Sequence, residues 1–171
     1  MSSNISKFRK AIVINSISDI ENLFDKMSKK DISKMINVET HHSPNIMLAF
    51  NFFNYKIVKL LIENGANLNI TAIKSDSGGY FNNLETPLIA ETKHGNSQTV
   101  YTLINHGADI YIRDGNGKSA LDYAIQKNYK KIINLLQKKD KENRDLLFKI
   151  IYKKYLRIDT YSIKNIIDYV Y

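Results

Sequence analysis

Thr86-Pro87-Leu88 opens a helical stretch, and Ser119-Ala120-Leu121 opens a second one 33 residues later. Between them run Leu103-Ile104-Asn105-His106-Gly107-Ala108-Asp109-Ile110-Tyr111 and then Asp114-Gly115-Asn116-Gly117. Thr86 and Ser119 have hydroxyls that can accept from the free N–H groups of a first helical turn. Pro87 suits the first helical position, where its missing N–H costs nothing. Gly107 supplies the positive φ that ends a helix, because it has no Cβ to clash. Asp-Gly-Asn-Gly predicts a tight turn. After it come Tyr123-Ala124, a turn at Asn128, and Ile132-Ile133-x-Leu135-Leu136.

Working outward, Lys59-Leu60-Leu61-Ile62-Glu63-Asn64-Gly65-Ala66-Asn67-Leu68-Asn69 matches the segment ending at Tyr111. Both have an apolar helical end, two polar residues, Gly-Ala-Asn/Asp and an apolar residue. At this point the chain resembles the ankyrin-repeat family. That family's unit is a capped Thr-Pro-Leu helix, a turn, a second helix, then Gly-Ala-Asp and a hairpin-like finger, about 33 residues in all. The resemblance implies an all-α solenoid of stacked helix pairs with finger loops. It divides residues 1–171 into one domain. A degenerate N-terminal unit spans 8–42, and repeats span 43–70, 85–112 and 113–139, with Ser43-Pro44 starting the first of them. In the N-terminal unit, Ser18-Asp19 is expected to cap a helix carrying Ile20, Leu23, Phe24 and Met27. In a basic C-terminal helical cap at 140–171, Leu146, Leu147, Ile150, Ile151 and Tyr155, then Ile163, Ile166, Ile167 and Val170, predict a pair of capping helices.

The sequence departs from the family's pattern in three places. The usual His after Thr-Pro-Leu is replaced by Ile89 and Asp122. Glu91 stands where the family has a small Ala, as at Ala49 and Ala124. Two readings of it are open: its methylenes pack while the carboxylate escapes to the edge, or the carboxylate is aimed into a binding groove. Third, Pro44 to Thr86 spans 42 residues rather than 33, so the finger at 71–84 is extended. That insertion carries Asp76, Tyr80, Phe81 and Asn82 around a flexible Gly78-Gly79. Its aromatic rings either anchor a partner or fold back onto the stack. With Tyr111, Arg113 and Asp114 of the next finger, and Glu91, these are the candidate partner-binding residues.

Composition narrows the chemistry. There is no cysteine, which excludes disulfides and thiolate catalysis. No apolar run is long enough to span a membrane. The first residues lack the pattern of a cleaved signal peptide. A soluble protein follows as the expectation, cytoplasmic or delivered to a host cell without a cleaved signal. The net charge of +8 is concentrated in residues 118–171, with 13 Lys or Arg against 6 Asp or Glu. His41, His42, His94 and His106 have no metal-ligand spacing. Gly115-Asn116-Gly117-Lys118-Ser119 lacks the upstream glycine and strand of a phosphate loop. No catalytic set, cofactor or metal site emerges. The expectation is a monomeric, non-enzymatic protein–protein interaction module, its partner a host protein if the source is a pathogen. The alternatives are a binder of polyanions, nucleic acid or anionic membrane, through the basic C-terminal third, and an inert shortened member of the repeat family.

Overall fold

The computed structural model describes residues 2–38, 44–51, 55–71 and 84–156. Among these are α1 (Ser2–Val13), α2 (Ile17–Phe24), α3 (Lys29–Ile36), α4 (Asn45–Asn51), α5 (Tyr55–Glu63), α6 (Pro87–Lys93), α7 (Ser97–Asn105), α8 (Ala120–Gln126) and α9 (Lys130–Ile151). A π-helical turn, Tyr152–Leu156, ends α9. No strand occurs among the described residues; the last finger has one antiparallel bridge, between Arg113 and Ser119.

Helices α1, α4, α6 and α8 form a front row in which each packs on the next. Behind it α2, α5, α7 and α9 each pack on their own front partner. The reason is the placement of apolar groups. Phe8 and Ile12, Met47 and Phe50, Leu88 and Ile89, and Tyr123 and Ala124 are buried along the front row. Ile20, Ile57, Leu61, Leu103, Ile132 and Leu136 meet them from behind, giving one continuous core.

The caps fall where the sequence placed them. Thr86 Oγ1 accepts from the Ile89 N–H at 3.3 Å. Ser119 Oγ accepts from the Asp122 N–H at 3.2 Å, and Asp122 Oδ2 accepts in return from the Ser119 N–H at 2.8 Å. Asp122, in place of the family's His, therefore closes a reciprocal capping box. Ser119→Ala should lower stability by about 1 kcal/mol in urea unfolding. The second helices end as expected, with Gly65 at φ +85° and Gly107 at φ +91°.

One repeating turn relates the helix pairs. Asn15, Gly95 and Asn128 all have positive φ. Around them Ser16 N–H donates to the Ala11 carbonyl, Asn96 N–H to Glu91, and Tyr129 N–H to Ala124, at 2.9, 3.1 and 2.9 Å. The N-terminal region is therefore a full helix pair, α1–α2, beginning at Ser2 rather than near residue 8. Its cap is Ser16, which accepts from the Asp19 N–H at 3.3 Å, and not Ser18-Asp19. Ile20 and Phe24 are buried as expected, but Leu23 and Met27 are only partly covered. Helix α3 is additional. It is held by Asn45, whose Nδ2 donates to the Met35 and Ile36 carbonyls at 3.0 and 3.2 Å while its Oδ1 accepts from Arg9 at 2.8 Å.

The expected pair of C-terminal capping helices is corrected at its first member. Asp140 stands 33 residues after Gly107, so the glycine that would stop α9 is absent and the helix runs on to Ile151. Ion pairs Lys138–Glu142 and Asp140–Arg144, one turn apart, support the continuation. Leu146, Leu147, Ile150 and Ile151 remain exposed on it. Ile163, Ile166, Ile167 and Val170 lie outside the described residues.

Candidate partner-binding face

The finger preceding α8 is built from short-range polar bonds. Asp109 Oδ1 accepts from the Tyr111 N–H at 2.8 Å, turning the chain outward. Asp114 Oδ1 accepts from the N–H groups of Asn116 at 2.9 Å and Lys118 at 3.0 Å, and its Oδ2 accepts from the Tyr123 hydroxyl at 2.6 Å. Burial pushes the Asp114 carboxyl up, but the hydrogen bonds from Tyr123, Lys118 and Asn116 outweigh it and hold the pKa below the usual value. The partner of this exchange, the Tyr123 hydroxyl, is raised by burial and by the Asp114 carboxylate.

Two cations flank the same ring. Lys93 Nζ lies 5.0 Å and Lys118 Nζ 5.4 Å from the Tyr123 ring centroid. Lys93 also pairs with the buried Glu85 at 2.5 Å, which joins the start of α6 to its end and to α8. Arg113 Nη1 donates to Asp122 Oδ2 at 2.8 Å and to the Gly117 carbonyl at 2.7 Å. This network was not visible in the spacing of Lys93, Lys118 and Tyr123; it exists only once α6 and α8 are side by side.

A relay of hydrogen bonds runs along the fingers. Asn37 Oδ1 accepts from the Asn67 N–H at 2.7 Å. Asn69 Oδ1 accepts from the Asp109 N–H at 2.8 Å. The Tyr111 hydroxyl donates to Asp140 Oδ1 at 2.8 Å. Each unit is thus bonded to the following one.

The candidate residues separate into three groups. Tyr111 and Arg113 are exposed on the finger, fixed in place by the bonds just described. Asp114 and Glu91 are buried, 5% and 4% exposed, which corrects the expectation that they face a partner. Asp114 is a turn-forming acceptor. Glu91 sits at the α6–α7 turn, at the position that Ala11 and Ala124 occupy in two other pairs, and its carboxylate does not escape to the edge. Asn96 Nδ2 donates to its Oε2 at 3.0 Å and also to the Tyr55 hydroxyl. His94 Nδ1 is 3.9 Å from Oε1. Burial raises the Glu91 carboxyl to about 7 against the weaker pull of Asn96 and Thr99. The third group, Asp76, Tyr80, Phe81 and Asn82, lies outside the described residues, as do His41 and His42. His94 and His106 cap the ends of α6 and α7 and are exposed, His106 Nδ1 lying 2.8 Å from the Thr102 carbonyl. No group of three or more metal-ligating side chains occurs among the described residues.

A stack of helix pairs joined by polar fingers, with a continuous core and a finger-to-finger relay, defines a solenoid repeat protein. Residues 46–145 match the family model for ankyrin repeats, in three copies. This chain belongs to the ankyrin-repeat family. It is similar to an ankyrin repeat protein of fowlpox virus, 32% identical over 120 residues, covering 67% of this chain and 16% of that protein. It is similar to an ankyrin repeat protein of Acanthamoeba polyphaga mimivirus, 31% identical over 93 residues, covering 54% of this chain and 51% of that one. A protein of Arabidopsis thaliana named as an E3 ubiquitin-protein ligase is 32% identical over 95 residues, covering 56% of this chain and 23% of its own length. The chain thus spans less than a quarter of the fowlpox and Arabidopsis proteins and about half of the mimivirus one. Ankyrin repeats generally mediate protein–protein interaction, and the family is typically non-enzymatic. No helix among the described residues is long and apolar enough to cross a membrane.

Proposed function

We propose that this chain is a non-catalytic module that holds a protein partner against its fingers and front-row helices. The observation that carries this reading is Tyr111. Its ring is 54% exposed, yet its backbone N–H is bonded to Asp109 and its hydroxyl to Asp140. An aromatic group held in place before binding loses little entropy when a partner covers it. Arg113, fixed beside it by Asp122 and Gly117, adds a charged contact. Asp76, Tyr80, Phe81 and Asn82 of the long finger remain in the proposal on the strength of their sequence. A host protein is the natural partner class if the chain, like its fowlpox and mimivirus relatives, is viral. The basic C-terminal third supports a polyanion partner less well, because Lys138, Lys139 and Arg144 are paired with Glu142 and Asp140 on α9 itself.

The test is affinity capture from cells of the source, or of its host if the source is a virus, with wild-type protein beside two variants, Tyr111→Ala/Arg113→Ala and Tyr80→Ala/Phe81→Ala. The expected result is a protein captured by wild type and reduced at least about tenfold by the first variant. Unfolding free energy should fall by less than about 1 kcal/mol, because the Arg113–Asp122 pair is exposed. Capture indifferent to both variants would remove the finger face from the proposal. Recovery of nucleic acid alone, released by modest salt, would favour the polyanion reading.

A further inference from the structure

At the N-terminal end of the stack, α1 and α2 enclose an open groove of about 460 Å³. It lies in a different part of the fold from the fingers. Among the described residues α1 has one front-row neighbour, α4, and its other side borders the groove. Ile14, Leu23 and Met27 line the groove, and Ile14 is 56% exposed. Lys7, Lys10 and Lys26 line it as well, against a single carboxylate, Asp19.

The helical spacing explains the shape. On α1 the core face is Phe8, Ala11 and Ile12, while Lys7, Lys10 and, just past its end, Ile14 lie one step round. On α2 the core face is Ile20 and Phe24; Leu23 and, past its end, Met27 pack against the margin of that core and stay half-buried where they line the groove, while Asp19 and Lys26 are exposed beside them. Two antiparallel helices thus present an apolar seam with a basic border. None of Lys7, Lys10 and Lys26 is ion-paired among the described residues.

We infer that this groove is a docking site for an acidic amphipathic helix of a partner protein. The seam between two helices takes a third helix, read through anchors at i, i+3, i+4 and i+7. The 8-residue α2 limits the shared seam to about 12 Å, about two turns, which an i to i+7 stripe of the guest spans. Ile14, Leu23 and Met27 receive its apolar stripe. The uncompensated lysines select carboxylates on its flanks and repel a basic helix. The site does not depend on the finger face, so one protein could engage two segments or two partners.

The probe is a fluorescein-labelled synthetic peptide about four turns long, with Leu at the i, i+3, i+4 and i+7 positions and Glu on both flanks. Fluorescence anisotropy on the full chain should show saturable binding that weakens with added salt. Lys7→Glu/Lys26→Glu and, separately, Ile14→Ser should each weaken it about tenfold. These side chains are exposed, and circular dichroism should report unchanged folding. Tyr111→Ala/Arg113→Ala should bind the peptide as wild type does, which separates this site from the finger face. Three results would each overturn the inference: equal affinity for a scrambled peptide of the same composition, indifference to both groove variants, or no binding of the peptide by a protein that binds phosphatidylserine vesicles.

Discussion

Glu91→Gln should stabilise the protein by about 3 kcal/mol at pH 8 and change it little at pH 4. The sign follows from protonation. Burial pushes Glu91 up to about 7 in the folded chain against an ordinary value of 4.5. Between these values the folded state holds a proton that the unfolded state has released. Wild-type stability from this group is therefore fully present below about pH 4.5 and falls as pH rises through 7. Above that, a buried carboxylate is ionised, and the bonds from Asn96 and Thr99 favour its charge less than burial disfavours it. Gln keeps the shape and the acceptor for Asn96 Nδ2 and carries no charge. Urea unfolding of both proteins from pH 4 to 8 measures the effect. Parallel pH profiles would show that Glu91 is stabilised by more than these neighbours. Glu91→Ala should also gain stability at pH 8, because Ala11 and Ala124 occupy the same place in two other pairs at 4% and 0% exposure.

Asp114→Ala should cost about 3 kcal/mol at pH 7. The substitution leaves the Asn116 and Lys118 N–H groups and the Tyr123 hydroxyl without their acceptor. The Asp114 carboxyl is held below its usual pKa, so its contribution is present above the unfolded value and is lost as pH falls through the folded one. Tyr123→Phe removes one of these bonds and should cost about 1.5 kcal/mol, the low end of the range for a bond to a charged group. Thermal unfolding at pH 7 and near pH 3 should find the two variants closest to wild type in acid. A full-sized loss at pH 3 would assign the effect to packing.

Much of the fold was legible because it is written in local signals. Thr86, Ser119, Gly65 and Gly107 act within one helical turn of themselves, and a repeat displays such signals more than once. The first helix pair was harder to read. Its turn uses Asn15 where the α6–α7 pair uses Gly95, and α1 opens at Ser2 without an acidic first turn. The length of α9 was also hidden, since its signal is a glycine missing at Asp140. The candidate face was legible only in part. Tyr111 and Arg113 are exposed on the finger, and that follows from finger position alone. The burial of Glu91 depends on Asn96, Tyr55 and α7 closing around it, which no spacing within α6 reveals. Finger position makes Asp114 a candidate partner contact, although the Asp-Gly-Asn-Gly turn already supplies a reason for its carboxylate to bond inward.

The glycine missing at Asp140 has a consequence for the history of the array. Repeat proteins change length by duplicating whole units, and a new unit needs a stopped second helix and a finger to join it. Duplication after α9 would meet a helix with no stop, and the added segment would lose the 33-residue phase. Aspartate and glycine codons differ by one base, so a single mutation could restore the stop. The same mutation would remove the carboxylate that receives Tyr111. Copy number at this end is therefore tied to the geometry of the finger beside it, and lengthening the array would disturb that finger first.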